Sequence, residues 1–460
     1  MRRAAALLAL LALAVPSGAR ASGPFETFGV DARAKGMANA QTAFGGGFAA
    51  SHYNPAALSR LERPELFLEY SLSLPGVEIE TEKEPAEAHL KPRSPPSYGG
   101  ALVGVGLPLT GFLDDRLFLG LSLYLPTFSL THAAAPDPAT PFLYLYDTYT
   151  DHYEIEPAVS LKWFDWLSTG VGLRIGAGQK GFIDLALDPL ERRVTRQSIT
   201  AEQYPIHAPT AGVTLGPFGW DFSSLALGFS YRERLTTPIA ILSQVEVDGL
   251  DVDVYLPVVA SANFSPRTFN AGVAYVFQIP VEGDESVWSA LSGSGHLAVD
   301  LSYAVWSEAP SPFLTVRSNF SGDGLDDLGL GGKIDAPGPG QSRIREVGLE
   351  DTFSVKAGVE YRFLDEQLAL RGGYAYRPTP VPDQTSGTNI IDASAHIVAG
   401  GLGARFSVPF LDRPLLVDLA WQTQLLKPRV AEKQSEADPV GNWRVSGSVS
   451  EVSAGLGYEF

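Results

Sequence analysis

The 460-residue chain contains no cysteine. Disulfides are excluded, and the fold must hold by burial and hydrogen bonding alone. Positive charge is scarce: 34 Lys and Arg stand against 52 Asp and Glu, a formal net charge of -18. That balance argues against nucleic acid as a partner, because its phosphates would be repelled. Beyond the first 21 residues no stretch approaches the ~18 to 20 consecutive apolar residues of a membrane helix. Amphipathic helical periodicity is also missing. No G-x-S-x-G elbow is present, and no histidine pair has zinc-ligand spacing. "GAGQKG", Gly176 to Gly181, matches a dinucleotide-loop string but has no helix pattern after it. "GDGLDDLG" offers Asp323, Asp326 and Asp327 without EF-hand spacing, which reads as a solvated acidic loop. No enzyme activity, cofactor or metal is expected.

What is present begins with a leader. Residues 1–21 read "MRRAAALLALLALAVPSGARA": a basic start, an apolar run, and a small-x-small cleavage site. They predict a signal peptide and an exported chain starting at Ser22.

Period two dominates the remainder. In "SEVSAGLGYEF", Val452, Ala454, Leu456, Tyr458 and Phe460 share one face, opposite Glu451, Ser453 and Glu459. Strand side chains alternate between faces, so this strand has one greasy side and one small or charged side. The same alternation sets Phe353, Val355 and Val359 against Lys356 and Glu360, Leu297, Val299 and Leu301 against Asp300, and Leu419 and Trp421 against Asp418 and Gln422. Fourteen such runs start near residues 66, 99, 116, 152, 167, 206, 222, 267, 296, 352, 367, 396, 415 and 449. Each has about the 9 to 11 residues of a tilted membrane strand.

A soluble sandwich would alternate in the same way, so the connections decide. Long ones, including 126–151, 181–205, 233–266 and 307–351, alternate with short ones such as 163–166 and 363–366; only 278–295 is intermediate. Three short turns share a pattern: "FLDDRL", "FLDEQL" and "FLDRPL". Short turns at one end and long loops at the other are the outer-membrane pattern. The expected fold is all-β: a 14-stranded antiparallel transmembrane β-barrel, residues 66–460, in the bacterial outer membrane. A closed barrel satisfies its backbone in lipid and leaves no edge.

Fourteen strands enclose a lumen too wide for wall side chains alone. Residues 22–65, rich in Gly and Ala, are the expected N-terminal hatch. Within it, Asn54-Pro55 is rigid, since proline fixes its own φ and keeps its predecessor out of helix. Ala56 and Ala57 then permit close packing.

Together "FGVDARAKGMANA", "YNPAALSRLERP", "EPAVSLKWFDWLSTGVGL", "HLAVDLSYAVWS" and "VEYRFLDEQLALRGGYAYRPTPVPD" resemble, in order and spacing, the FadL-type outer-membrane transporters of long-chain fatty acids and hydrocarbons. One departure is "GGGFAASHY", where many relatives carry Ala-Asp-Asp before Asn-Pro-Ala. The resemblance implies passive uptake of a hydrophobic small molecule, a fatty acid or hydrocarbon, through an apolar pocket under the outer loops. It implies release by a hatch shift, with sideways exit into outer-membrane lipid in one branch, and a monomer. On the hatch, Phe25 and Phe28 are implied ligand contacts, with plain plug packing as the alternative. Asn54, Pro55 and Ala56 carry over as the structural pivot. The run Phe142 to Tyr153 would line the outer pocket or form an aromatic girdle. For a carboxylate ligand, Lys180 and Arg317 are the candidate cations. Arg174, Lys356, Arg371 and Arg377 are expected to pair with Glu154, Glu156, Glu360 and Asp418. The alternative function is a general diffusion porin for polar solutes.

Overall fold

The computed structural model describes residues 27–460 except 86, 88, 89, 93, 112, 128–136, 147–151, 189–192, 248–251, 280–292, 317–318, 322–346, 386, 410, 435 and 437. The leader, Phe25, Arg317 and the acidic loop of Asp323, Asp326 and Asp327 lie outside the described residues.

Fourteen strands form the wall: β1 Glu65–Thr81, β2 Tyr98–Pro108, β3 Leu117–Pro126, β4 Glu154–Phe164, β5 Leu167–Asp188, β6 Arg193–Trp220 and β7 Ser223–Arg232 make its first half. The second half is β8 Arg267–Ile279, β9 Gly293–Val305, β10 Thr352–Phe363, β11 Leu368–Arg377, β12 Ala395–Phe406, β13 Leu415–Ala431 and β14 Trp443–Glu459. Each pairs antiparallel with its neighbours in sequence. The ring closes where β1 pairs with β14, from Glu65↔Glu459 to Thr81↔Trp443. The fourteen strands found are the fourteen expected.

The alternation sorts inside from outside. Leu297, Val299, Leu301, Val355, Leu419, Trp421 and Val452 are exposed on the outer surface, while Asp300, Glu360, Gln422, Glu451 and Ser453 are buried in the lumen. In water that outer face would be costly; in a bilayer it is solvated by lipid tails. Trp163, Phe164, Trp166, Trp220 and Phe222 crowd the short-turn end as exposed aromatics, as at a membrane interface. Two short turns are built alike. Leu113, Asp114 and Asp115 have φ of 50, 53 and 59°, and Leu364, Asp365 and Glu366 have 53, 53 and 62°. In these two turns the "FLD" pattern takes a left-handed backbone, which short polar side chains tolerate better than most; Leu411 and Asp412 of the third do not.

One expected loop is not a loop. Residues 181–188 and 193–205 continue β5 and β6 as a paired extension that outruns the neighbouring strands. Ile183, Leu185 and Leu187 keep the period of two, and Val194, Thr195, Ile199 and Thr200 add β-favouring residues, so the strands run on. Two further strands, Leu235–Val247 and Val252–Ser265, fill much of the next long connection. The first pairs parallel with the upper part of β5, from Gln179↔Ile239 to Leu187↔Val247. The two pair with each other, making an apron of sheet beyond the barrel rim.

The segment before β1 fills the lumen. It holds α1 Ala32–Lys35, α2 Ala50–Tyr53 and a 3-10 turn Pro55–Arg60. Small side chains let it reach the wall: Ala32, Ala40, Ala43, Ala50, Ala56 and Ala57 are fully buried. The wall answers with glycine. A Cβ at Gly373 would lie 2.3 Å from the Met37 backbone, and one at Gly228 would lie 2.1 Å from the Thr42 carbonyl oxygen.

Candidate functional site: a hatched lumen with two chambers

The hatch is bolted to the wall by charge. Lys35 Nζ reaches Glu69 Oε1 at 2.8 Å and Glu451 Oε1 at 2.7 Å, and it donates to Ser71 Oγ at 2.7 Å. Arg33 binds Glu360 through two 2.9 Å hydrogen bonds, a fork geometry that only a guanidinium supplies. Asp300 accepts from the backbone N–H groups of Gln41 and Thr42 at 2.7 and 2.8 Å. His52 Nδ1 lies 2.9 Å from Glu156 Oε2, and its Nε2 lies 3.1 Å from Arg232 Nη1. With Arg232 donating to Nε2, the proton sits on Nδ1 and points at Glu156. Arg232 also donates to Glu156 Oε1 at 3.2 Å.

The Asn-Pro-Ala step is pinned as tightly. Asn54 Nδ2 donates to the Thr42 carbonyl at 2.7 Å and the Val213 carbonyl at 3.3 Å, while its Oδ1 accepts from Ala56 N–H at 3.2 Å. Ser160 Oγ donates to the Ala56 carbonyl at 3.0 Å. A Cβ at Gly212 would fall 1.9 Å from Asn54 Oδ1, and one at Gly170 would fall 2.3 Å from the Pro55 carbonyl carbon. The step therefore abuts β4, β5 and β6. At the same place the β4–β5 ladder pairs Ile155 with Ile175 and then Ala158 with Gly172, leaving out Glu156 with Arg174 and Pro157 with Leu173. Proline has no N–H to give. Outside this seam lies an apolar groove of about 820 Å³ bordered by Val159, Val171, Leu121 and Pro209.

Above the hatch is a chamber of about 240 Å³. Its floor is hatch, with Asn39, Thr42, His52 and Tyr53; its mouth is Phe142, Tyr144, Phe264, Trp306 and Ile397. Phe142–Leu143 pairs parallel with Ile390–Ile391 to make a small cap. Arg377 braces the cap through Asp392 at 2.9 Å and the Tyr146 hydroxyl at 3.1 Å. Burial pushes the Tyr146 phenol up to about 12, so it stays a neutral donor, here to Gln424 Oε1 at 2.6 Å. Below the hatch, toward the short turns, a second chamber of about 560 Å³ is lined by Asp31, Arg33, Arg60, Glu65, Arg362, Arg371, Arg405, Asp418 and Glu459.

Phe28 is fully buried, turned into a cluster with Tyr98, Leu143, Tyr146 and Trp443. Its own carbonyl accepts from Asn39 Nδ2 at 2.8 Å, while its neighbours Thr27 and Gly29 line the upper chamber. Lys180 stands on the exposed apron, 57% accessible and paired with Glu202 at 2.7 Å, away from the residues lining the chamber. From the aromatic run, Phe142 and Tyr144 line the chamber. Among the expected lumen pairs, Arg174–Glu154 (2.7 Å) and Arg371–Glu360 (2.6 Å) are formed, and Arg371 also holds Asp418. Arg377 takes Asp392 instead. Lys356 lines the upper chamber and makes no hydrogen bond or close ion pair with any described residue; Asp300, opposite it on β9, gives its Oδ2 to the hatch backbone. The hatch cations Arg33 and Lys35 and the His52–Arg232 link escaped sequence reasoning. Their signal was the surplus of inward acids, Glu69, Glu156, Glu360 and Glu451, over inward bases on the wall.

No family model matches the chain. A crystal structure of a Pseudomonas aeruginosa FadL homologue is similar over 97% of this chain and 99% of its own, with TM-score 0.57 and 15% identity. The fold is FadL-type. The Pseudomonas putida toluene transporter TodX superposes over 94% of this chain and 99% of its own, with TM-score 0.53 and 13% identity. In sequence, alkane uptake protein A of Marinobacter nauticus is 24% identical over 216 residues, which is 46% of this chain and 39% of that protein. The chain thus matches about two-fifths of that relative's length. With the FadL-type fold, the lumenal segment 27–64 takes the hatch position, and the apolar exterior is that of an outer-membrane barrel.

Proposed function

We propose that the protein is an outer-membrane transporter for passive uptake of hydrophobic compounds, with long-chain fatty acids as its preferred cargo. The observation that carries this reading is the upper chamber: a greasy mouth, a hatch for a floor, and one unpaired ammonium, Lys356, in its wall. A hydrocarbon chain gains about 0.8 kcal/mol per buried CH₂ against the mouth aromatics. A carboxylate reaching Lys356 finds a cation that no described residue hydrogen-bonds, with neighbouring Asp300 as its competitor. Arg232 lines the same chamber and holds hatch His52, so a head group drawing on Arg232 loosens the floor. The seam at Pro157 and Leu173, next to the Asn54 pivot, is the route by which the chain leaves sideways into lipid. Phe28, Asn54, Pro55 and Ala56 act as hatch framework, and Lys180 plays no part in binding. A polar-solute porin fits poorly with a lumen filled by a charge-anchored hatch.

The named relatives carry alkanes and toluene, and neutral hydrocarbons are the second reading. Lys356→Met separates the two. Uptake of radiolabelled oleate into cells should fall roughly tenfold, the worth of one charge-assisted contact, while hexadecane uptake holds. Equal loss of both, or of neither, would remove Lys356 from the site.

A further inference from the structure

Glu156 stands where the hatch, the upper chamber and the seam meet. Its carboxylate is buried on the lumen side of β4. Hatch His52 lies 2.9 Å from it, and Arg232 of the chamber wall donates to it at 3.2 Å. Across the seam, Arg174 of β5 approaches it at 3.6 Å. Arg174 sits closer to Glu154, at 2.7 Å, and donates to Ser265 Oγ at 2.8 Å.

The backbone at Glu156 and Pro157 depends on such anchors. The ladders on either side run unbroken, from Leu117↔Leu161 to Tyr124↔Glu154 between β3 and β4, and from Leu167↔Leu215 to Ala186↔Arg196 between β5 and β6. The β4–β5 ladder skips Glu156 with Arg174 and Pro157 with Leu173. A strand edge without its ladder bonds parts more readily than the sheet around it. Side-chain charge takes over at this gap, and buried charge contacts are strong while paired and costly when broken. Two carboxylates, Glu154 and Glu156, meet two guanidiniums, Arg174 and Arg232. Without Arg232 the two carboxylates share Arg174, and Glu156 is the more loosely held. His52 loses the group facing its Nε2 at the same moment.

We propose that Glu156 is the positioning residue that ties occupancy of the chamber to opening of the seam. A carboxylate head group that takes Arg232 leaves the Glu156–Pro157 stretch to the long Arg174 contact, and β4 parts from β5 there. The coupling rests on the sideways exit proposed above and adds its trigger. A neutral hydrocarbon offers Arg232 nothing and leaves the latch shut.

The chain has no cysteine, so labels go only where they are placed. Val159 and Val171 oppose each other across β4 and β5 beside the seam, both exposed on the outer surface. Nitroxides on Val159→Cys/Val171→Cys, in the full-length protein in lipid nanodiscs, should show strong dipolar broadening. Oleate should reduce that broadening and hexadecane should not, a comparison that needs no change at Glu156. Glu156→Gln should lose the broadening before cargo is added, and oleate should then add nothing. Labels on Val273→Cys/Val299→Cys, opposed on β8 and β9, should stay broadened throughout; a general slackening of the wall would change both pairs. A native seam that ignores oleate, or a Glu156→Gln seam that stays shut and still answers it, would overturn the proposal. Joining the cysteines at 159 and 171 with a short bifunctional thiol reagent separates this from the exit itself. Oleate uptake should then stop. Unchanged uptake would sink the exit and the coupling together, whereas blocked uptake with an oleate-blind seam would sink the coupling alone.

Discussion

The two chambers on either side of the hatch differ in chemistry as well as in size. The upper one is entered past Phe142, Tyr144, Phe264 and Trp306. The lower one is walled by six arginines, Arg33, Arg60, Arg63, Arg362, Arg371 and Arg405, and by six carboxylates, Asp31, Glu62, Glu65, Glu366, Asp418 and Glu459. An oily molecule loses favourable contact at each step downward. A hatch that simply opened would deliver such a cargo into the least hospitable part of the lumen. The asymmetry therefore favours an exit beside the hatch over one beneath it, and it places the functional weight on the partition between the chambers.

The hardest way to break the comparison is to remove the partition. Lys35→Met leaves Glu69 and Glu451 facing each other, buried, without their cation; breaking a buried pair by removing one partner costs about 3–5 kcal/mol. The chambers should merge, and planar-bilayer recordings should show steady ion conductance where the native protein is closed. A closed Lys35→Met channel would show that the seat is dispensable. A gentler handle is Asp31, whose carboxyl burial, with Asp418 and Glu69 nearby, pushes up from 3.8 to about 8. Between those values the folded hatch holds a proton that the released segment gives up, so seating weakens as pH rises from about 4 to about 8 and levels off above. Hydrogen exchange of hatch amides, corrected for intrinsic rates, should speed up across that window, and Asp31→Asn should flatten the response. The smallest effect belongs outside both chambers. Lys180→Ala removes an exposed, water-screened ion pair, and oleate uptake should stay at the native level; a marked fall would draw the apron into the binding site.

The wall was legible in the chain because lipid on one side and a crowded lumen on the other impose the same period on every strand. Leu297 against Asp300 or Trp421 against Gln422 needs no partner to be read. The apron was misread because its strands carry that period without a membrane around them, and alternation alone does not say where a bilayer ends. The hatch was legible as a small-residue filler, and the Asn54-Pro55 step as its rigid point. Its bolts were not, because Arg33 and Lys35 find Glu360, Glu69 and Glu451 hundreds of residues away, and nothing in local spacing announces such a meeting. Lys356 was expected to be paired; Asp300 opposite it instead turns Oδ2 to the backbone of Gln41 and Thr42.

Lys35 touches Glu69 on the first strand and Glu451 on the last. Its ammonium thus straddles the joint at which the cylinder is sewn shut. Until the final strand docks, that cation is only half neutralised and the stopper only half moored. Assembly of the wall and seating of its stopper are then a single event, and a barrel that closed without its stopper would carry two carboxylates glaring across the stitch.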